Sequence, residues 1–179
     1  MTKGQYAYLH AYLTPHRGLV RLLDFFATKV VYAYVVLPFC VVWFSSGRQF
    51  IAMAGVGLAI GWGVLVQLVA YMFPGKRPYQ KFGFKPLAGK GLFSRIDERY
   101  DSFPSGHTTA LTILTLTIAL FSTPFAILSA AIVLLTMASR VLLGYHYPKD
   151  VLGGFFLAVL VVIGLQYGGI FGAILVFIR

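Results

Sequence analysis

Long apolar runs separated by short polar segments are the dominant pattern of this chain. Five of these runs are predicted to be helices: residues 30–44, 50–73, 105–121, 124–144 and 148–178. About 20 apolar residues in a helix suffice to cross a bilayer, and the runs approach or exceed that length. We therefore expect an all-α fold over residues 1–179: a single-domain, polytopic membrane helix bundle with about five transmembrane helices.

Glycine positions add detail to the predictions for two of these helices. The second run contains Gly57 and Gly61 in a G-x-x-x-G spacing, which favours close helix packing. The last run is too long for one simple span, because residues 151–178 would extend about 42 Å at a rise of ~1.5 Å per residue. It therefore tilts, projects from the bilayer or breaks near Gly168 and Gly169.

Residues 1–29 are more polar and are predicted to form an interfacial amphipathic segment. Thr14 and Pro15 are residue types preferred at the N-cap and first position of a helix. Leu19 and Leu22 would lie on its apolar face, with arginines elsewhere. A cleaved signal peptide is not expected, because a compact apolar core before a small-residue cleavage site is missing.

Residues 74–103 form the one long polar segment and include seven basic residues. Such a segment leaves the hydrocarbon or covers a water-filled cavity. Loops of this length in compact domains are frequently functional lids or disordered segments. Polar clusters lie near both of its ends, Lys76-Arg77 at the start and Ser105-Gly106-His107 just beyond the other end, and this position favours a lid over the membrane face that carries them.

Composition and charge narrow the class of protein. Hydrophobic residues make up 59% of the chain, charged residues 11%, and the mean hydropathy is +0.81, which indicates an integral membrane protein. The net charge of +10 fits membrane topology charges, anionic headgroups or a phosphorylated substrate. A nucleic-acid partner is not expected, because the basic residues lie between apolar runs. Cys40 is the single cysteine, which excludes an intramolecular disulfide and leaves a cysteine-based metal site unsupported.

Three short polar clusters interrupt the apolar sequence: Lys76-Arg77-Pro78, Pro104-Ser105-Gly106-His107, and Ser139-Arg140 followed by His146 and Asp150. The predicted topology brings all three to one membrane face. Charged side chains beside hydrocarbon usually mark a site where substrate or ions are handled. Two arginines, two histidines, a carboxylate and a serine suit a phosphate ester.

The second cluster opens a predicted helix. With Ser105 as its N-cap, Gly106 and His107 would occupy the first turn, whose free amides and positive dipole end attract an anion. Gly106 would also let the backbone approach a ligand closely. The alternative is a capped helix with a histidine there by chance.

In the third cluster, a carboxylate follows a histidine at the start of a helix. Asp150 could accept a hydrogen bond from one ring nitrogen of His146 and leave the other free as a nucleophile. The alternative is a purely structural His–Asp pair. Arg77 and Arg140 offer planar guanidinium groups for phosphate oxygens and Lys76 a more flexible charge, unless they only anchor the ends of spans.

These motifs, in this order and spacing, resemble the type 2 phosphatidic acid phosphatase (PAP2) superfamily. The resemblance implies a PAP2/haloperoxidase-like helical core and a mechanism without metal or cofactor. His146 would attack phosphorus, Asp150 would orient its ring, and His107 would protonate the leaving oxygen. The resemblance also implies which groups hold the phosphoryl oxygens: Arg77, Arg140, Ser105 and the Gly106 amide.

The chain departs from the family pattern in two ways. The family's first motif usually begins with a lysine seven residues before the arginine, where this chain has Ala70. Lys76 is our candidate for the missing phosphate contact. The family core also commonly has six spans, and here we expect the amphipathic segment to replace the first.

The resemblance implies a lipid phosphate substrate, with undecaprenyl pyrophosphate-type lipids favoured and phosphatidylglycerophosphate or lipid A as alternatives. It implies a multi-pass protein of the bacterial inner membrane. Three other classes are less favoured. A non-catalytic lipid-binding protein would be expected to lack His107, His146 or Asp150, and all three are present. The haloperoxidase relatives, which depend on vanadate, are soluble, and a transporter would be suggested by acidic residues within the spans, where the sequence has only Gln67 and Gln166.

Charge distribution leaves the sidedness open. In the predicted topology 13 of the 15 basic residues lie on the active-site face, with Arg48 and Arg179 on the other. The positive-inside rule would place that face in the cytoplasm, whereas the family resemblance more often places it outside.

Overall fold

The computed structural model describes residues 1–32, 47–87 and 102–177. Within these ranges the chain is helical and contains no strand. The helices are α1 Lys3–Leu13, α2 Arg17–Asp24, α3 Gly47–Leu58, α4 Pro78–Phe82, α5 Gly106–Ala119, α6 Thr123–Leu142, α7 Pro148–Tyr167 and α8 Ile170–Phe177. Wider π-helical turns extend α2 through Phe25–Lys29 and carry α3 through Ala59–Leu65 into a last segment, Val66–Met72.

Three helices in the described ranges are long and apolar enough to cross a membrane: Arg48–Met72, Thr123–Leu142 and Pro148–Tyr167. The apolar helix α5 is shorter, with 14 residues. The prediction of an all-α membrane bundle is confirmed. Most of the predicted first span, residues 30–44, and half of the predicted lid, residues 88–101, lie outside the described ranges.

Helix α5 lies at the centre of the bundle and contacts α3, α6 and α7. The G-x-x-x-G glycines of α3 face it: a Cβ atom built on Gly57 or Gly61 would come within 2.8 or 2.4 Å of the Ile113 side chain. Helix α7 approaches α5 as closely, because a Cβ on Gly154 would lie 2.6 Å from the Ser105 carbonyl oxygen. Small residues thus let apolar helices pack backbone to side chain.

Thr109 joins α5 to α7 at that contact. Its hydroxyl lies 3.1 Å from the carbonyl oxygens of both Ser105 and Gly154. A hydroxyl group can donate to only one acceptor at a time, so the two carbonyls share it. The N-terminal parts of α5 and α7 are therefore held at a fixed position relative to each other, and both contain candidate site residues.

The last apolar run breaks between α7 and α8. Helix α7 ends at Tyr167 and Gly169 adopts a φ of +76°, a left-handed conformation that glycine accepts readily. Helix α8 then returns to pack against α3 and α7. Of the three outcomes expected for this run, the structure shows the break at the glycine pair.

The N-terminal segment contains two helices where one was predicted, and the assignment of Thr14 and Pro15 to a helix start is wrong. Helix α1 begins after Thr2, which forms a capping box with Gln5. Thr14 ends this helix, because its amide and its hydroxyl both donate to the carbonyl oxygen of His10. Helix α2 then begins at Arg17.

Candidate active site

The starts of α5 and α7 meet the end of α6 at one place. Ser105, at the N-cap of α5, donates its backbone N–H to the Asp150 carbonyl oxygen at 2.9 Å. Asp150 lies in the first turn of α7 and Arg140 in the last turn of α6. His146 lies in the connection between α6 and α7. Residues from two of the three polar clusters of the sequence are therefore in direct contact.

His146 is buried, and its ring is held at both nitrogens. Nδ1 lies 2.7 Å from the carbonyl oxygen of Ser102, and Nε2 lies 3.0 Å from Nη2 of Arg140. A carbonyl can only accept and a guanidinium can only donate. Nδ1 therefore carries the proton and Nε2 carries the lone pair, which is the state required of a nucleophilic nitrogen.

Asp150 is fully buried but does not hydrogen-bond to His146. Its Oδ2 atom accepts from the Ser102 hydroxyl at 2.5 Å and from the Tyr147 backbone N–H at 2.8 Å. The distance from Oδ2 to Nδ1 of His146 is 3.9 Å, too long for a hydrogen bond. The predicted direct hydrogen bond between His146 and Asp150 is thus wrong, because Nδ1 of His146 donates its proton to the Ser102 carbonyl instead.

Arg140 connects the site to the N-terminal helices. While Nη2 donates to His146, Nη1 donates to the carbonyl oxygen of Ala27 at 2.6 Å. The guanidinium carbon also lies 5.6 Å from the centre of the Tyr145 ring, within cation–π range. The buried guanidinium is therefore fixed by groups from α2 and from the α6–α7 connection.

Arg77 and His107 complete the constellation. Arg77 is buried at the start of α4, and its positive charge acts on both Asp150 and His107. Arg140 and His146 are also close enough to interact electrostatically with His107, which lies in the first turn of α5. All three polar clusters of the sequence are therefore close enough to interact electrostatically.

Ser105 and Gly106 lie at the first turn of α5 as the sequence predicts. The Ser105 hydroxyl accepts from the Thr108 hydroxyl at 3.1 Å, and within the described ranges it makes no capping bond to its own helix. A Cβ on Gly106 would come within 3.0 Å of Nε1 of Trp62. The α5 N-terminus is thus packed against α3 on one side, and only glycine leaves that contact unstrained.

Lys76 differs from the other predicted site residues because it is exposed. It lines a cavity of about 550 Å³ together with Ser102, Asp150 and Lys149. Ala70, at the position of the family lysine, lies in the last turn of α3. Lys76 therefore places a positive charge on the exposed side of the cavity that Asp150 also lines.

Sequence reasoning missed Ser102 and Tyr6. Ser102 contacts both His146 and Asp150, as described above. Tyr6, on α1, is completely buried against Gly144 of the α6–α7 connection, where a Cβ atom would come within 2.0 Å of its ring. Burial, with a smaller effect of Tyr79, raises the pKa of its hydroxyl to about 12, so the group is neutral at physiological pH.

Tyr6 gives a first test of how the N-terminus supports the site. Gly144 adopts a φ of +75° and is two residues from His146, so the ring holds the turn that carries the imidazole. Tyr6→Ala is expected to lower the free energy of unfolding by about 3 kcal/mol through the cavity it leaves. The displaced turn should lower kcat by about tenfold or more.

Thermal midpoints in detergent and phosphate-release rates measure these two effects. The matched control is Tyr6→Phe, which keeps the ring and removes only the long 3.5 Å hydrogen bond to the Leu143 carbonyl. It should remain within about 1 kcal/mol of the natural protein. Unchanged stability and activity in Tyr6→Ala would show that α1 does not support the site.

The model of the PAP2 superfamily matches residues 50–168. The chain belongs to the PAP2 superfamily. The match runs from residue 50 in α3 to the end of α7 and includes every candidate site residue, whereas α1 and α2 precede it.

Three relatives in the superfamily are informative. The chain is 31% identical over 97 residues to the lipid A 1-phosphatases of Rhizobium etli and Rhizobium johnstonii. Each match covers 51% of this chain but only 39% and 37% of those proteins. The chain is 27% identical over 157 residues to the undecaprenyl-diphosphatase BcrC of Bacillus subtilis, covering 83% of this chain and 75% of that protein.

Proposed function

We propose that this chain is a multi-pass phosphatase of the bacterial inner membrane that removes phosphate from a lipid phosphate or lipid diphosphate. The observation that carries the proposal is the state of His146. Its Nδ1 proton is donated to the Ser102 carbonyl and its Nε2 lone pair faces the Arg140 guanidinium. A nucleophilic lone pair directed at a phosphate-binding group is suited to phosphoryl transfer.

The first step forms a phosphohistidine. Nε2 of His146 attacks phosphorus, and the bond from phosphorus to the lipid-side oxygen breaks. His107, whose protonated form is favoured by the negative charge of the bound phosphate group, donates its proton to that oxygen as it leaves. Arg77 and Arg140 stabilise the charge on the remaining phosphoryl oxygens, together with Ser105 and the amide of Gly106.

The second step regenerates the enzyme. Water attacks phosphorus, neutral His107 accepts a proton from it, and the bond to Nε2 breaks to release inorganic phosphate. Because two arginines and a helix N-terminus supply positive charge, we propose that the reaction requires no metal ion. This predicts full activity in the presence of a chelator.

The extent of the match to BcrC favours an undecaprenyl diphosphate-type substrate for this chain. Lys76 and Lys149, which line the cavity beside Asp150, support a substrate with an anionic headgroup. The second candidate is a lipid A 1-phosphate, favoured by the 31% identity to the two lipid A 1-phosphatases. In both cases the lipid tail would remain among the apolar helices.

The proposal is tested by phosphate release from purified protein in detergent with EDTA. The panel contains undecaprenyl diphosphate, lipid A, phosphatidylglycerophosphate and phosphatidic acid. We expect release from at least one lipid at a rate unchanged by EDTA, with undecaprenyl diphosphate preferred. No release from any lipid would support the alternative of a non-catalytic lipid-binding protein, and loss of release in EDTA would overturn metal independence.

A further inference from the structure

The position of Ser102 between His146 and Asp150 suggests a role that the three polar clusters do not include. The main chain of Ser102 accepts the Nδ1 proton of His146 at 2.7 Å, and its hydroxyl donates to Asp150 at 2.5 Å. The carboxylate and the imidazole themselves are 3.9 Å apart. One residue therefore hydrogen-bonds to two groups that do not hydrogen-bond to each other.

We propose that Ser102 is the positioning residue through which Asp150 orients the imidazole of His146. This inference rests on the proposed function of His146 as nucleophile. The Asp150 carboxylate holds the Ser102 hydroxyl, which fixes the peptide whose carbonyl oxygen sets the tautomer and angle of the ring. Asp150 thus acts on the ring through the side chain and main chain of Ser102 rather than by a direct hydrogen bond.

Three further features fix Ser102 in this position. The Ser102 amide donates to the Gly75 carbonyl oxygen at 3.0 Å, next to the first polar cluster. The ring of the next residue, Phe103, packs against Gly153 of α7, where a Cβ atom would come within 2.2 Å of it. Ser102 itself is buried. Its carbonyl can therefore define the ring orientation with little freedom.

The same carboxylate oxygen also determines where α7 begins. Oδ2 of Asp150 accepts from the Tyr147 N–H at the helix N-cap, so one carboxylate fixes both the helix start and the Ser102 hydroxyl. Strong hydrogen bonds to an ionised acceptor are short, and both distances are within that range. A ring fixed at Nδ1 in this way presents Nε2 to the Arg140 guanidinium on its other side.

The test compares Ser102→Ala with Ser102→Thr, which retains the hydroxyl. Ser102→Ala should lower kcat by about 30-fold with little change in KM, because a misdirected ring attacks less often but the lipid still binds. Ser102→Thr should restore most of the activity. A thermal midpoint close to that of the natural protein would separate misorientation from unfolding.

A double-mutant cycle tests the serial arrangement. If Asp150 acts through Ser102, the double variant Ser102→Ala with Asp150→Ala should be no slower than Asp150→Ala alone, within about threefold. Effects that multiply would overturn the proposal, and so would Ser102→Ala activity equal to that of the natural protein.

Nitrogen-15 NMR of histidine-labelled protein tests the geometry without any substrate. The chain has four histidines, so the signals of His146 can be assigned with His146→Gln. We expect an Nδ1-protonated ring in the natural protein and in Ser102→Thr, and mixed tautomers in Ser102→Ala. An unchanged tautomer in Ser102→Ala would contradict the role of Ser102. Absence of phosphatase activity in the natural protein would instead contradict the proposed function.

Discussion

His146→Ala is expected to lower phosphate release by more than about 1,000-fold, because the reaction then has no nucleophile to form the covalent intermediate. The remaining groups still bind the phosphoryl oxygens, so lipid affinity should change much less than kcat. The loss should be the same for every lipid that the natural protein hydrolyses. The measurement is phosphate release under single-turnover and steady-state conditions.

Trapping identifies the cause of this loss. Rapid denaturation of the natural protein during turnover of a ³²P-labelled lipid should leave acid-labile, base-stable label on the chain, as a phosphohistidine does. His146→Ala and His146→Gln should carry none. His16→Ala is the matched control, because His16 is exposed and its side chain contacts Tyr12 of the same N-terminal segment rather than the site. Label on the His146 variants would contradict the assignment of the nucleophile.

The convergence of the polar clusters follows from the order of apolar runs in the sequence. Each cluster lies at the end of a predicted helix, and helices that cross a bilayer alternate in direction, so Arg77, His107 and His146 are expected on one face. Their types also limit the chemistry, because charges beside hydrocarbon are costly without a function. The location and the residue types of the site could therefore be predicted, because both follow from the order of apolar runs and from side-chain chemistry.

The hydrogen bonding of His146 could not be predicted in the same way. A spacing of four residues to Asp150 suggests neighbours on one helix face, but His146 precedes the N-cap Tyr147 and lies outside α7. Its Nδ1 partner is a main-chain carbonyl, and every residue type has one. Ser102, two residues before Pro104, was the one residue whose type could have indicated this arrangement, because its hydroxyl suits a carboxylate acceptor.

The contacts of the N-terminal helices with the site also could not be predicted from sequence patterns. The Ala27 carbonyl, which accepts from Arg140, belongs to a π-helical turn, and wider turns of this kind leave carbonyl groups available to side chains. Tyr6 reaches Gly144 from 138 residues away in sequence, and no short motif records such a contact. Long-range packing of this kind depends on the whole fold.

Arg140→Lys is the second substitution expected to have a large effect, although it preserves the charge. The Arg140 guanidinium uses one Nη atom for the Ala27 carbonyl and the other for Nε2 of His146. The lysine ammonium carries its donors on one nitrogen atom, whereas the two Nη atoms of the planar guanidinium point to separate partners. Lysine should therefore satisfy one of them and leave the other without a donor.

We expect kcat to fall by about 100- to 1,000-fold in Arg140→Lys, since loss of one preorganised donor to a developing oxyanion has an effect of this size. During reaction the phosphoryl oxygens replace Nε2 as the acceptor for Nη2, so the loss should appear mainly in kcat. Arg48→Lys is the matched control, because Arg48 is exposed at the start of α3. Activity of Arg140→Lys within about threefold of the natural protein would show that charge alone suffices at this position.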